Sequence, residues 1–216
     1  MQGKVTVNGI TVTKPGTLVD SESKIECDTE EPKFVCRAGL KMEKALSAFD
    51  IDPTDLVIMD AGLSTGGFTD CLLQAGAKKS YGIDVGYGQV HEKIRRDERV
   101  IVMERTNLRH VKSLPEPIDL VTLDLSFISV LKVMQVVHFL LKPDGQLIVL
   151  IKPQFEAERG QVGRGGIIKD PEVHQQVVDK VIRGIEGFGF KLQNVVDSPI
   201  TGTHGNKEFL AHFVRV

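Results

Sequence analysis

The chain has 216 residues, 41% of them hydrophobic, enough for one α/β core with little left for a second full domain. A formal charge of −2 and a pI near 6.3 exclude a polybasic nucleic-acid coat, so any RNA contact has to come from a local patch. No apolar run reaches the length of a membrane span, residues 1 to 4 lack a signal-peptide core, and Cys27, Cys36 and Cys71 form no Cys-x-x-Cys; a soluble, cytoplasmic protein with reduced thiols and no metal site is expected.

Residues 4 to 27 read as short alternating strands. Val5 to Val7 and Ile10 to Val12 flank Asn8-Gly9, the preferred two-residue hairpin turn; a further turn at Lys14-Pro15-Gly16 precedes a strand at 24 to 26. This is a small β appendage, too short to be stable alone. The polar stretch 28 to 32 is the expected linker. Met42, Ala45, Leu46 and Phe49 then share one helical face, which predicts a helix over 38 to 49. Lys41 lies beside that stripe, which does not require its burial.

From Leu56 onward, apolar strand-like runs (56 to 60, 79 to 84, 100 to 103, 118 to 124, 146 to 152, 191 to 197, 208 to 215) alternate with helical patterns near 67 to 75, 88 to 96, 129 to 141 and 171 to 187. The alternation predicts an α/β fold, a Rossmann-like, seven-stranded and mostly parallel sheet with helices on both faces. Ligands of such sheets bind beyond the carboxyl ends of the strands, where Asp60, Asp84, Asp124 and Lys152 all fall. The Gly-rich and charged stretch 153 to 169 is the expected lid. Asp170 and Pro171 are the N-cap and first residue of the helix after it.

The run 56 to 60 passes into Asp60-Ala-Gly62-Leu-Ser64-Thr65-Gly66-Gly67-Phe68, a buried strand ending in an acid and a glycine-rich turn that a ligand can approach closely. Its spacing is neither the dinucleotide fingerprint nor the phosphate-binding loop, and it looks like the first motif of S-adenosylmethionine-dependent methyltransferases. Asp84, 24 residues after Asp60, stands where a ribose-binding acid is expected, against the plainer role of a turn acid. Arg105-Thr106-Asn107, after the third strand, falls where the adenine would lie, and a capping role for Asn107 fits equally well.

Asp124 and Lys152 each end a very apolar strand. A structural salt bridge would explain the pair, but so would chemistry: a lysine base works as its neutral amine, a state favoured by desolvation and by a second ammonium, for which Lys41 is the candidate. Cys71 is a poor candidate for a nucleophile, and the amine-methylating D/N-P-P-Y motif is replaced by Asp124-Leu-Ser-Phe127.

The segments Arg37-Ala-Gly-Leu-Lys41, Asp60 to Asp70, Asp84-Val-Gly-Tyr-Gly-Gln89, Glu104-Arg-Thr-Asn107, Asp124-Leu-Ser-Phe-Ile-Ser129, Lys152-Pro-Gln-Phe-Glu156 and Ser198-Pro-Ile-Thr-Gly202 resemble the TlyA family of hemolysin A-type ribosomal RNA methyltransferases. That family is similar to the FtsJ/RrmJ ribose methyltransferases, whose active site is a Lys-Asp-Lys-Glu tetrad. By motif, the resemblance implies Lys41, Asp124, Lys152 and Glu208 as the tetrad. It implies S-adenosylmethionine held around Asp60, Gly62, Ser64, Thr65, Gly66, Gly67, Phe68, Asp84, Thr106, Asn107 and Asp124, and 2′-O-methylation of cytidine in ribosomal RNA or ribosomal subunits. Lys33, Arg37, Lys44, Arg159, Arg164 and Lys207 are the cations available to RNA phosphate. The expected organisation is an S4-like RNA-binding segment over 1 to 30, a linker and first helix over 31 to 54, and the methyltransferase domain over 55 to 216. Relatives of this type begin with a complete S4-type domain, and residues 5 to 16 look like only its C-terminal half. The alternative is therefore a weakly catalytic RNA-binding or ribosome-assembly protein that retains the fold, and an organellar location if the chain is a fragment of a longer precursor.

Overall fold

The computed structural model describes residues 5–14, 16–27, 32–202 and 205–216, with the Arg159 side chain outside that set. The chain divides into two compact units, Met1–Lys33 and Phe34–Val216. In the first, β1 (Val5–Val7), β2 (Ile10–Thr11) and β3 (Ile25–Cys27) form an antiparallel sheet in the order β2-β1-β3. Asn8 and Gly9 both take positive φ, as a hairpin turn of this length requires. Most of the expected linker, 28 to 31, lies outside the described residues, as does Pro15 of the second turn.

The second unit contains α1 (Ala38–Phe49), β4 (Val57–Ala61), α2 (Gly67–Gln74), β5 (Lys79–Ile83), α3 (Glu92–Arg95), β6 (Val100–Met103), β7 (Ile118–Leu123), α4 (Met134–Leu140), β8 (Leu141–Ile151), α5 (Pro153–Glu156), α6 (Pro171–Glu186), β9 (Phe190–Asp197) and β10 (Phe209–Arg215). Its seven strands lie in the order β6-β5-β4-β7-β8-β10-β9. The β4-β5, β5-β6, β4-β7 and β7-β8 pairs are parallel, and β10 runs antiparallel to both its neighbours. The fold is the Rossmann-like α/β sheet expected from the alternation.

Side-chain alternation divides the core into two layers. Leu147, Val149 and Ile151 of β8 face α4 and α6, in one cluster with Met134, Val137, Val181 and Ile185. Ile148 and Leu150 face the other way, in a cluster with Met42 and Ala45 of α1 and Phe68 and Leu72 of α2. The apolar run 147 to 151 is thus buried on both faces, each large side chain contributing about 1.5–3 kcal/mol.

Three expectations are revised. The pattern at 88 to 96 yields only the four-residue α3, because the chain is still turning at Gly88 (φ +72°) and the helix starts where His91 Nδ1 accepts from Lys93 N. The stretch 129 to 141 is a 3-10 turn, Val130–Lys132, followed by α4, and Leu141 already belongs to β8. The supposed lid is not wholly irregular, since α5 and a 3-10 turn at Arg159–Gln161 occupy part of it.

Candidate active site

Strand order reverses on either side of β4, so the chain leaves β4, β5 and β7 toward one crevice at their carboxyl ends. A cavity of about 500 Å³ opens there, with Gly62, Ser64, Asp84, Thr106, Asn107 and Asp124 on its wall. Gly62 follows β4 with φ +90°, and a Cβ on it would collide with the Asp124 carbonyl oxygen. Only glycine permits that approach of β4 to β7, which the Asp124 N–H consolidates by donating to Ala61 O at 2.9 Å.

Asp84 is fixed by the turns on either side of the crevice: Ser64 N donates to Oδ2 and Gly86 N to Oδ1, each at 2.7 Å. Each carboxylate oxygen keeps further acceptor capacity, which suits a ribose diol. Asn107 caps a 3-10 turn by accepting from Arg109 N at 3.1 Å, and it also lines the cavity. Ile83, Leu108 and Val133 supply an apolar wall of the kind an adenine ring needs.

The other positions read as cofactor ligands do not line this cavity. Asp60 is buried, its Oδ2 accepting from Thr69 N (3.1 Å) and Thr69 Oγ1 (2.7 Å), its Oδ1 from Thr122 Oγ1 (2.9 Å). Burial pushes its carboxyl up to about 6, against the lowering effect of the two threonines. It therefore ties β4 to α2 and β7 from beneath the glycine turn. Thr65 O accepts from His91 N, a Cβ on Gly66 would press on Ile94, and Gly67 abuts Cys36 and Gly39. Phe68 lies in the α1/α2 core. These residues shape the turn through protein contacts.

A second cavity, of about 410 Å³, lies across residues 124 to 128 and shares Ser126 and Phe127 with the first. Lys152, at the end of β8, and Glu208, just before β10, line it together. The antiparallel course of β10 explains this, since Phe209 pairs with Ile151 and the start of one strand meets the end of the other. Lys152 Nζ lies 2.6 Å from Asp124 Oδ1 and donates to Ser126 Oγ at 2.9 Å. Lys41 Nζ donates to Glu208 Oε2 at 2.5 Å, with side chains only 8% and 2% exposed. Lys41 is buried on α1, which its helical stripe did not require, because its ammonium has a buried carboxylate to meet.

Several residues of this cavity were not singled out by chemistry. Phe127 has φ +65°, is 91% exposed and packs its ring 5.1 Å from that of Phe155. Asn206 clasps the glycine-rich loop, Nδ2 donating to Gly166 O and Oδ1 accepting from Ile168 N. Glu156 is buried, its Oε1 accepting from Val130 N at 2.7 Å, and burial holds its carboxyl above the usual range. Phe127, Phe155 and Glu156 fall in the segments 124 to 129 and 152 to 156, read for their charged residues, although Glu156 does not itself line the cavity; Asn206 stands two residues before Glu208.

Lys33, Arg37, Lys44 and Arg164 are exposed and line neither cavity; Lys207 pairs with Asp197 at 2.9 Å. Among the described residues no helix is long and apolar enough to cross a membrane, and no three His, Cys, Asp or Glu side chains gather as a metal site.

A parallel sheet with one antiparallel strand in the sixth place, a glycine turn after β4 and an acid after β5 define a Rossmann-like α/β fold with a ligand crevice at its strand ends. The chain belongs to the FtsJ-like methyltransferase family, which matches residues 34–215. It is 42% identical to hemolysin A of Brachyspira hyodysenteriae, over 99% of this chain and 90% of that one. It is 40% identical to the 16S/23S rRNA (cytidine-2′-O)-methyltransferase TlyA of Mycobacterium tuberculosis, over 96% of this chain and 78% of that one. A crystal structure from Lactococcus lactis, 44% identical, superposes with a TM-score of 0.83 over 85% of this chain and 89% of that chain.

Proposed function

We propose that this protein transfers a methyl group from S-adenosylmethionine to the 2′ oxygen of cytidine ribose in ribosomal RNA, with Lys41, Asp124, Lys152 and Glu208 as its catalytic group. The observation that carries the proposal is the Asp124–Lys152 pair, because Asp124 lines the cavity of the glycine turn and Lys152 lines the adjoining one. Donor and acceptor sites thus meet at a carboxylate and an amine. The relative from M. tuberculosis bears the name of the same reaction.

When bound, S-adenosylmethionine supplies an electrophilic methyl group on a sulfonium. The first cavity suits it, with an apolar wall for a ring, Asp84 for a diol and the bare Gly62 turn for close approach. Lys152 accepts the proton of the attacking hydroxyl as the oxygen–carbon bond forms and the methyl–sulfur bond breaks, the electron pair leaving on the thioether sulfur. Asp124 and Ser126 hold its Nζ in place and stabilise the ammonium that results. Glu208 forms the wall beside it, and its buried partner Lys41 fixes that carboxylate and keeps a second cation close to the cavity. The three-stranded unit at 5 to 27 serves as an S4-like RNA contact, and the exposed Arg37, Lys44 and Arg164 meet phosphate.

The test is transfer of labelled methyl from S-adenosylmethionine to unmodified ribosomal subunits and naked rRNA, the product being digested with alkali. An alkali-resistant dinucleotide identifies the ribose. Lys152→Ala should reduce its formation by about 10²- to 10⁴-fold with cofactor affinity nearly unchanged. Wild-type rates in that variant, or label on a base, refute the assignment.

A further inference from the structure

We infer that Asn206 is a positioning residue for the RNA acceptor: its buried carboxamide latches the glycine-rich loop 163 to 168 into the wall of the second cavity, and the loop so held receives the RNA backbone beside the target ribose. The inference rests on the ribose-methylation proposal above and adds the residue that fixes the acceptor side of the site.

From Gly163 to Gly166 the chain is exposed. Gly165 and Gly166, which line the second cavity, take φ of +77° and +75°, and a Cβ on either would meet nothing within 4 Å. Apolar packing therefore does little to place them, and hydrogen bonds do it instead. Gly163 N donates to Ile167 O and Gly166 N to Gly163 O, each at 3.1 Å, which closes the loop on itself. Asn206, only 3% exposed, joins that loop to the body of the fold: its Nδ2 donates to Gly166 O at 2.9 Å, and its Oδ1 accepts from Ile168 N at 3.1 Å. Ile168 is buried, and its carbonyl oxygen lies 3.2 Å from His174 Nε2 on α6. One side chain thus spans the exposed part of the loop and its anchored end. A carbonyl oxygen needs a donor and an N–H an acceptor, so a carboxamide serves both, whereas an aspartate would serve Ile168 alone.

Asn206 also belongs to the segment that delivers Glu208. It lines the second cavity with that residue, and its own carbonyl accepts from Gly202 N at 2.8 Å. Gly202 is in turn where a Cβ would strike the Glu208 carboxylate. The latch therefore sets the glycine loop and the proposed catalytic group in one frame. What the loop offers there is bare glycine backbone with one exposed cation, Arg164, between Gly163 and Gly165. Close approach and positive charge suit a sugar-phosphate backbone. A loop held in place beforehand also spares the RNA the cost of ordering it on binding.

The experiment titrates unmodified rRNA into the full chain bound to S-adenosylhomocysteine. Asn206→Ala, and the nearly isosteric Asn206→Asp, should weaken rRNA binding by about tenfold, while S-adenosylmethionine affinity stays within about twofold of wild type. Amide exchange across 163 to 168 should be faster in both variants, and bound rRNA should slow it in wild type. Arg164→Ala should weaken rRNA binding as well, and the loss caused by Asn206→Ala should shrink in that background, because both act through the same loop. Wild-type rRNA affinity in both Asn206 variants, unchanged exchange in the loop, or fully additive losses with Arg164→Ala overturn the inference and leave ribose methylation standing. An equal loss of cofactor affinity makes Asn206 merely structural and overturns it too. If the methyl group reaches a base instead of a ribose, the proposed function fails, and the rRNA affinities still decide the role of Asn206. If the wild-type complex binds no rRNA, both fall.

Discussion

Asp60 gives the most quantitative test of the framework. Its carboxyl is displaced by burial from an ordinary 3.8 to about 6, while in the unfolded chain it returns to the ordinary value. Between these values the folded protein holds a proton that the unfolded chain has released, so this group's contribution to stability is full below 3.8 and is lost as pH rises through about 6. The whole interval corresponds to about 3 kcal/mol, of which about 1.4 kcal/mol falls between roughly pH 5 and pH 8. Asp60→Asn removes the titration at nearly constant shape. Thr69 N and Oγ1 can still donate to the amide oxygen, and the Thr122 hydroxyl can turn to accept from the amide nitrogen. All other groups titrate alike in the two proteins, so the difference between their urea unfolding free energies isolates Asp60. That difference should move in favour of Asp60→Asn by about 1.4 kcal/mol from pH 5 to pH 8. Parallel stability curves would refute the burial argument. Because Asp60 does not line the donor cavity, cofactor affinity measured by calorimetry at pH 8 should change little.

Gly62→Ala forces a side chain into the left-handed region and against the Asp124 carbonyl, so calorimetry should show S-adenosylmethionine affinity reduced by about tenfold or more. Lys41→Met leaves Glu208 buried without its ammonium and should cost about 3–5 kcal/mol in urea unfolding; Lys41→Met with Glu208→Leu should recover much of that and still transfer no methyl. Asp84→Asn can satisfy only one of the two backbone donors that the carboxylate serves, and cofactor affinity should fall by about tenfold in the same titration.

Most of the strands from β4 to β8 were legible because they carry consecutive apolar residues and end at or beside a charged one, a pattern that two-sided burial and a ligand edge both impose. That Asp84 would stand at the same strand edge as the glycine turn was legible from its place at the end of an apolar run. The burial of Lys41 was not, since a helical stripe reports only the helix's own apolar face, and the carboxylate that buries this lysine is 167 residues away. The division of the glycine segment was equally hidden. Its spacing marks a tight turn, but only the packing shows that Gly62 faces the cavity while Gly66 and Gly67 face Ile94 and α1.

The position of β10 has a consequence for how the protein is made. It enters the sheet last, between β8 and β9, and carries with it the register that sets Glu208 beside Lys152. On the ribosome, β4 to β8, with the donor cavity, have been synthesised well before that strand emerges. Until it inserts, Lys41 waits on α1 without its carboxylate and the acceptor side lacks one wall. With donor and acceptor placed as proposed, the growing chain can thus acquire a grip on the methyl donor before it acquires the geometry to use it, and catalytic competence arrives with the closing of the sheet.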